Sequence, residues 1–242
     1  MLADIDIRVE SQYQMISDFT PDDKLYITEK LLHVIEKDLI ATEERYFGSE
    51  KFEQYKIKDL FEDSILRKYS INVKGNKEMG LSQKNPNNNI HVNIDALDWY
   101  AYDDNFGTDE EKYLVKTVQD VISDLEEKWT DIYLLRNEKA VKIYSFDKGQ
   151  AFEPDFLMFA NDKKTGNVSW QIFIEPKGNQ FLDANNTFKN SKEGWKQDFL
   201  RQISERDEAR TLVDDDRYRI VGLPFFNEAV SKDEVKEELR RL

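Results

Sequence analysis

The chain has 242 residues, 39% apolar and 35% charged, with 15 Phe, 11 Tyr, 4 Trp and no cysteine. So many aromatics argue against disorder over most of the length, and the lack of cysteine excludes disulfide staples, thiolate zinc sites and cysteine nucleophiles. No apolar run is long enough to span a membrane, and the start, MLADIDIRVE, lacks the basic flank and apolar stretch of a secretory signal. A cytoplasmic protein with no membrane partner is expected. The net charge of -14 repels nucleic acid overall, but it is unevenly spread. Residues 1–135 carry -13, residues 136–206 carry +2 and residues 207–242 carry -3. The middle stretch is the one suited to meet a polyanion. Two histidines, His33 and His91, are too few for a histidine-rich metal site.

A helix is predicted over 21–46, with Thr20 as N-cap and Pro21 in the first turn. A short helix follows over 56–64, then strands at 69–73 and 90–95. The polar loop KGNKEMGLSQKNPNNN between them marks a seam. It separates a helical N-terminal connecting region, residues 1–88, from a second domain, residues 89–242. Residues 108–129 carry the clearest helix, with Leu114, Val118, Val121 and Leu125 as its apolar stripe. Thr108 and Glu111 have the spacing of a capping box. Glu111 also falls on the buried stripe, one turn before Leu114, so either capping or an inward-facing role accounts for it. Strands are expected at 131–136, 140–146, 155–160 and 168–175, the last two joined by a turn at 161–167. A helix over 188–206, a strand at 218–223 and a charged helix over 231–242 complete the chain. The order predicts an α/β fold, a mixed β-sheet flanked by helices, with a helical N-terminal extension.

Chemistry gathers on the predicted hairpin. Glu175 and Lys177 are two apart and share a strand face. Pro176 between them argues for a strand end. With the turn centred near Thr165, residue 160 falls opposite 168, and Asp155 lies near Phe173, diagonal to Glu175. An even pairing sum puts both carboxylates on one face, and an odd sum separates them. Two carboxylates at adjacent strand ends suit a hard divalent cation, and a lysine beside them suits an attacking water or a phosphate. A plain surface ladder of salt bridges has the same spacing. Two features favour a site: the triplet ends the apolar run WQIFI, and Asp155 opens the run FLMF.

The segments NFGTDEEKYLV, DIYLLRNE, IYSF, FEPDFLMF and QIFIEPKG resemble the endonuclease region at the end of the restriction subunit of type III restriction enzymes, a branch of the PD-(D/E)xK nuclease superfamily. The resemblance is specific over residues 98–200 and looser upstream. It implies a PD-(D/E)xK-like core hydrolysing DNA with Mg²⁺, for which Mn²⁺ can substitute. It implies Asp155 and Glu175 as metal ligands, joined by the carbonyl of Pro176, Lys177 as the third catalytic residue, and Glu111, chosen over Glu110, as the helical glutamate. Gln171 is then a candidate beside the site or an exposed strand residue. Lys192, Lys196 and Arg201 are candidates for phosphate contact or for a solvated helix face. The implied partners are double-stranded DNA, a motor/helicase domain and a modification subunit. The chain has no G-x-x-x-x-G-K-[ST] phosphate loop, so ATP would act only through a motor domain outside it. The alternatives are a non-catalytic DNA- or protein-binding module on the same fold, or the nuclease of another helicase–nuclease repair or defence system.

Overall fold

The first helix, α1 (Pro21–Ala41), begins at a reciprocal cap. The Thr20 amide donates to Asp23 Oδ2 at 3.0 Å, and the Asp23 amide donates to Thr20 Oγ1 at 3.3 Å. The computed structural model describes residues 18–41, 52, 57–61, 80–164, 166, 168–208 and 217–242. The chain divides into two compact units, Met1–Arg45, which holds α1, and Tyr46–Leu242. Leu25, Tyr26 and Leu32 of α1 are exposed. Residues 42–46 of the predicted helix and the predicted strand at 69–73 lie outside the described residues.

In the second unit, α2 (Ile57–Leu60) is a single turn. The strand expected at 90–95 is absent. That stretch is irregular and ends in a 3₁₀ turn, Ile94–Ala96. Its apolar alternation is real, because Ile90, Val92 and Ile94 are all buried. Its backbone pairs with neither β partner but with local groups. The Ile90 amide donates to Asn88 Oδ1 at 3.0 Å and the Val92 amide to the Gln83 carbonyl at 3.1 Å. Buried Gln83 then ties the loop to the next helix through its Nε2, which donates to the Lys112 carbonyl at 2.8 Å.

That helix, α3 (Asp109–Lys128), buries Leu114, Val118, Val121 and Leu125 as the periodicity predicts. It leads into the strands β1 (Trp129–Arg136), β2 (Ile143–Tyr144), β3 (Ala151–Phe152), β4 (Phe156–Asp162) and β5 (Ser169–Ile174). The helix α4 (Gly194–Glu208), the strand β6 (Tyr218–Gly222) and the helix α5 (Lys232–Arg241) follow. The strands β1, β4, β5 and β6 form one mixed sheet in that order, antiparallel except for the parallel pair β5–β6. The small pair β2–β3 stands apart and leaves only two residues of the predicted strand 140–146 as β. The fold is therefore mixed α/β, a four-stranded sheet flanked by helices. Among the described residues no helix is long and apolar enough to cross a membrane.

The sheet buries both faces. Phe156, Met158, Ala160, Ile172 and Ile174 pack with the apolar stripes of α3 and α5. Leu157 and Phe173 point the other way, into a second core with Phe199, Leu200 and Ile203 of α4. Each fully buried side chain of this size contributes about 1.5–3 kcal/mol. The strand β6 meets α4 so closely that a Cβ on Gly222 would lie 2.3 Å from the Leu200 carbonyl oxygen.

The register places the site. Phe156 pairs with Ile174 and Ala160 with Trp170, two residues from the predicted pairing. On that register Asp155 faces Glu175 directly, not Phe173, and both carboxylates share one face. The Asp162 amide donates to the Val168 carbonyl at 2.9 Å, which fixes the alternation of hydrogen-bonding pairs. Counting down the ladder, the hydrogen-bonding pair just past Phe156–Ile174 is Pro154 opposite Pro176. Neither proline has an N–H. The ladder ends there for want of donors.

Gly222→Ala is expected to destabilise the unit by about 1–3 kcal/mol, the usual cost of overpacking against a rigid neighbour. Equilibrium denaturation in urea checks it; an unchanged midpoint would mean that α4 can move off β6.

Candidate active site at the open end of β4 and β5

The strand end is held together by side chains instead of ladder bonds. The Asp155 amide donates to Glu175 Oε2 at 2.9 Å, and the Asn137 amide donates to the Asp155 carbonyl at 2.9 Å. Lys177 Nζ lies 2.7 Å from Glu175 Oε1 and 3.4 Å from Glu193 Oε2, which also pairs with Lys196. The rings of Phe181 and Phe225 flank the Lys177 ammonium at 5.2 and 5.6 Å. Downstream of β5, the Phe226 amide donates to the Glu175 carbonyl at 2.9 Å and the Lys177 amide to the Phe226 carbonyl at 2.8 Å. Fully buried Asn227 donates to the Lys177 carbonyl and to Asn179 Oδ1, each at 2.8 Å.

Glu111 reaches the same end from α3. Thr108 Oγ1 accepts from the Glu111 amide at 3.4 Å, so half of the capping box forms. The Glu111 carboxylate does not complete it. Arg136 Nη2, at the end of β1, lies 3.1 Å from Oε1 and 2.9 Å from Oε2, and only the Oε1 contact is aligned as a hydrogen bond. Arg136 also has Glu138 at 3.7 Å. Gly107 makes room, because a Cβ there would fall 1.7 Å from Glu111 Oε2. Glu110 is turned elsewhere and accepts from the Glu228 amide at 3.1 Å.

The four predicted residues Glu111, Asp155, Glu175 and Lys177 thus meet at one strand end. Gln171 shares the face of Glu175, but four residues along a strand are roughly 13 Å, too far to belong to the cluster. Lys196 acts electrostatically on Asp155. Lys192 is exposed, and Arg201 lies 3.5 Å from Asp198 and 3.9 Å from Glu205. His91 Nδ1 lies 3.2 Å from the Gln83 carbonyl oxygen, away from the cluster. Arg136, Glu193 and Asn227 had no sequence signal of their own.

Burial raises the carboxyl pKa values. Glu111 is pushed from the ordinary 4.5 to about 7 by burial, against the pull of Arg136 and with a push from Asp155. Glu175 is pushed up to about 7 by burial and then by Asp155, with Lys177 opposing. Asp155 is raised by burial despite Lys177, Arg136 and Lys196. Burial works to lower the Lys177 pKa, but the carboxylates around it hold it above its ordinary value.

The donor set suits a hard divalent cation. Among the described residues nothing donates to the Asp155 carboxylate or to the Pro176 carbonyl. Glu111 Oε2 is buried without an aligned hydrogen bond. Among the described residues no three acidic or histidine side chains form a metal cage; Glu111 is paired with Arg136 and Glu175 with Lys177.

This fold and site define a mixed α/β domain with an acidic cluster and a lysine at the opened end of its central strands. The chain belongs to the family described as HI_1054_C: C-terminal domain, whose model matches residues 80–240. A Haemophilus influenzae protein described as uncharacterized is 29% identical over 218 residues, covering 86% of this chain and 42% of its own. The chain thus spans less than half the length of that relative. No solved structure matches it.

The raised carboxyl pKa values set a direction for stability. Between pH 4.5 and 7 the folded, metal-free chain holds protons at Glu111 and Glu175 that the unfolded chain has released. Stability should therefore fall as pH rises through that window and level off above it. Urea denaturation at several pH values measures this. Glu111→Gln should flatten the decline, and a rise in stability across the same window would contradict the assignment.

Proposed function

We propose that this strand end is a Mg²⁺-dependent phosphodiesterase site acting on double-stranded DNA, in a domain like the endonuclease region of type III restriction subunits. The observation that carries the reading is Asp155 directly across from Glu175, with Lys177 on the same face and bonded to Glu175. Asp155, Glu175 and the Pro176 carbonyl would hold the cation. Bound there, it supplies charge neutralisation on a phosphate oxygen and a more acidic water. Lys177 Nζ donates to the attacking water or to a non-bridging phosphate oxygen. Glu111 completes the acidic cluster, and Arg136 fixes its carboxylate. The water gives up a proton to solvent as its oxygen bonds to phosphorus, the bond from phosphorus to the sugar oxygen breaks, and solvent protonates that oxygen.

The near-balanced charge of residues 136–206 supports contact with DNA through this part of the chain. The longer relative leaves room for the motor/helicase domain implied by the resemblance, and a modification subunit and a cytoplasmic setting belong to the same proposal. The second reading is a non-catalytic binding module. It is favoured by the closure of Glu111 on Arg136 and of Glu175 on Lys177.

The test is nicking of supercoiled plasmid with Mg²⁺ or Mn²⁺, by this chain and by the longer protein containing it. Cleavage is expected, and Lys177→Ala should lower its rate by about 10²–10³-fold, the usual cost of one lost transition-state donor. Asp155→Ala and Glu175→Ala should lose it as fully, with circular dichroism unchanged. Cleavage surviving in all three variants would place the chemistry elsewhere. No cleavage by the wild-type longer protein would favour the binding module.

A further inference from the structure

The Lys177 ammonium stands between two carboxylates, Glu175 Oε1 at 2.7 Å and Glu193 Oε2 at 3.4 Å. Its backbone is fixed on both sides, by the Phe226 carbonyl and by Asn227 Nδ2. The rings of Phe181 and Phe225 flank the ammonium. The side chain is therefore confined to a short path that runs from one carboxylate to the other. A divalent cation taking Glu175 would compete with Lys177 for the same oxygens, and the two positive charges repel. Glu193 is already within reach as the alternative partner. It sits just before α4, outside the ladder, and also pairs with Lys196.

We propose that Glu193 is a positioning residue that receives Lys177 when Glu175 turns to a divalent cation. The proposal rests on the nuclease reading for the cation and goes beyond it in naming what the lysine does as the cation binds. Without Glu193, Lys177 stays on Glu175 and competes with the metal. With it, the ammonium is held beside the metal, aimed at where a water or phosphate oxygen would lie.

The test is calorimetric titration of the metal-free chain with Mn²⁺, which needs no cleavage. Glu193→Gln should weaken Mn²⁺ binding by about 10-fold, the low end of what losing a group around a metal site costs, because it acts through Lys177 rather than on a ligand itself. Glu193→Asp, which keeps the charge, should restore part of it. In a Lys177→Gln background, Glu193→Gln should change Mn²⁺ affinity little, because the competitor is gone; a purely structural role would weaken binding in both backgrounds. Lys196→Gln should bind Mn²⁺ no more weakly than wild type. If it weakens binding as Glu193→Gln does, the effect belongs to the Lys196 pair and the proposal is overturned. Equal binding by wild type and Glu193→Gln overturns the proposal alone. No Mn²⁺ binding by the wild type overturns the cation reading as well.

Discussion

Two prolines that should exchange hydrogen bonds, and cannot, are the constraint on which the site depends. Pro154 and Pro176 fall opposite each other one hydrogen-bonding step past the last regular pair of β4 and β5. Backbone donors are missing where a buried ladder would continue. Buried carbonyls and amides still need partners, so side chains take over. Glu175 accepts the Asp155 amide, and β5 leans onto Phe226 on its other side. Among the described residues, the Pro176 carbonyl and the Asp155 carboxylate are left without donors. A pair of regular residues here would have closed the sheet and left a surface ladder of charges.

The two cores deliver different parts to that end. The core under α3 and α5 positions Glu111, and the core under α4 positions Glu193 and Lys196. Asn227 links them, touching the Lys177 carbonyl at 2.8 Å and Glu110 Oε1 at 3.4 Å. Neighbouring acids on α3 therefore divide the work: Glu110 anchors the segment after β6, and Glu111 faces the cluster. Packing density makes such placements firm, because a helix cannot shift without opening voids in its core.

Much of this was legible in the sequence, for identifiable reasons. Glu111 could be preferred to Glu110 because it lies three residues before Leu114, and helical period fixes direction. Asp155 and Glu175 could share a face because any even register brings them together, although the predicted register was two residues short. The strand expected at 90–95 failed because alternation reports burial, not pairing. Gln83 and Asn88 satisfy that backbone locally. Arg136, Glu193 and Asn227 were invisible because their significance arises only when three distant segments converge. No spacing within the chain encodes that.

On the proposed reading, charge gives such an arrangement a use for an outside cation. Around the strand end Glu111, Asp155, Glu175 and Glu193 face Arg136, Lys177 and Lys196, and Glu138 lies on the far side of Arg136. Acid outnumbers base there when all are ionised. A phosphodiester approaching that cluster meets net negative charge, and the available cations are tied to carboxylates. Burial sharpens the penalty, as the raised carboxyl pKa values record. One divalent cation changes both terms together on the proposed reading. It offsets that excess of negative charge, and by taking carboxylate oxygens it loosens the grip on Lys177. On that reading, the same event that makes the site tolerable to an anion also turns a structural lysine into one that can reach it.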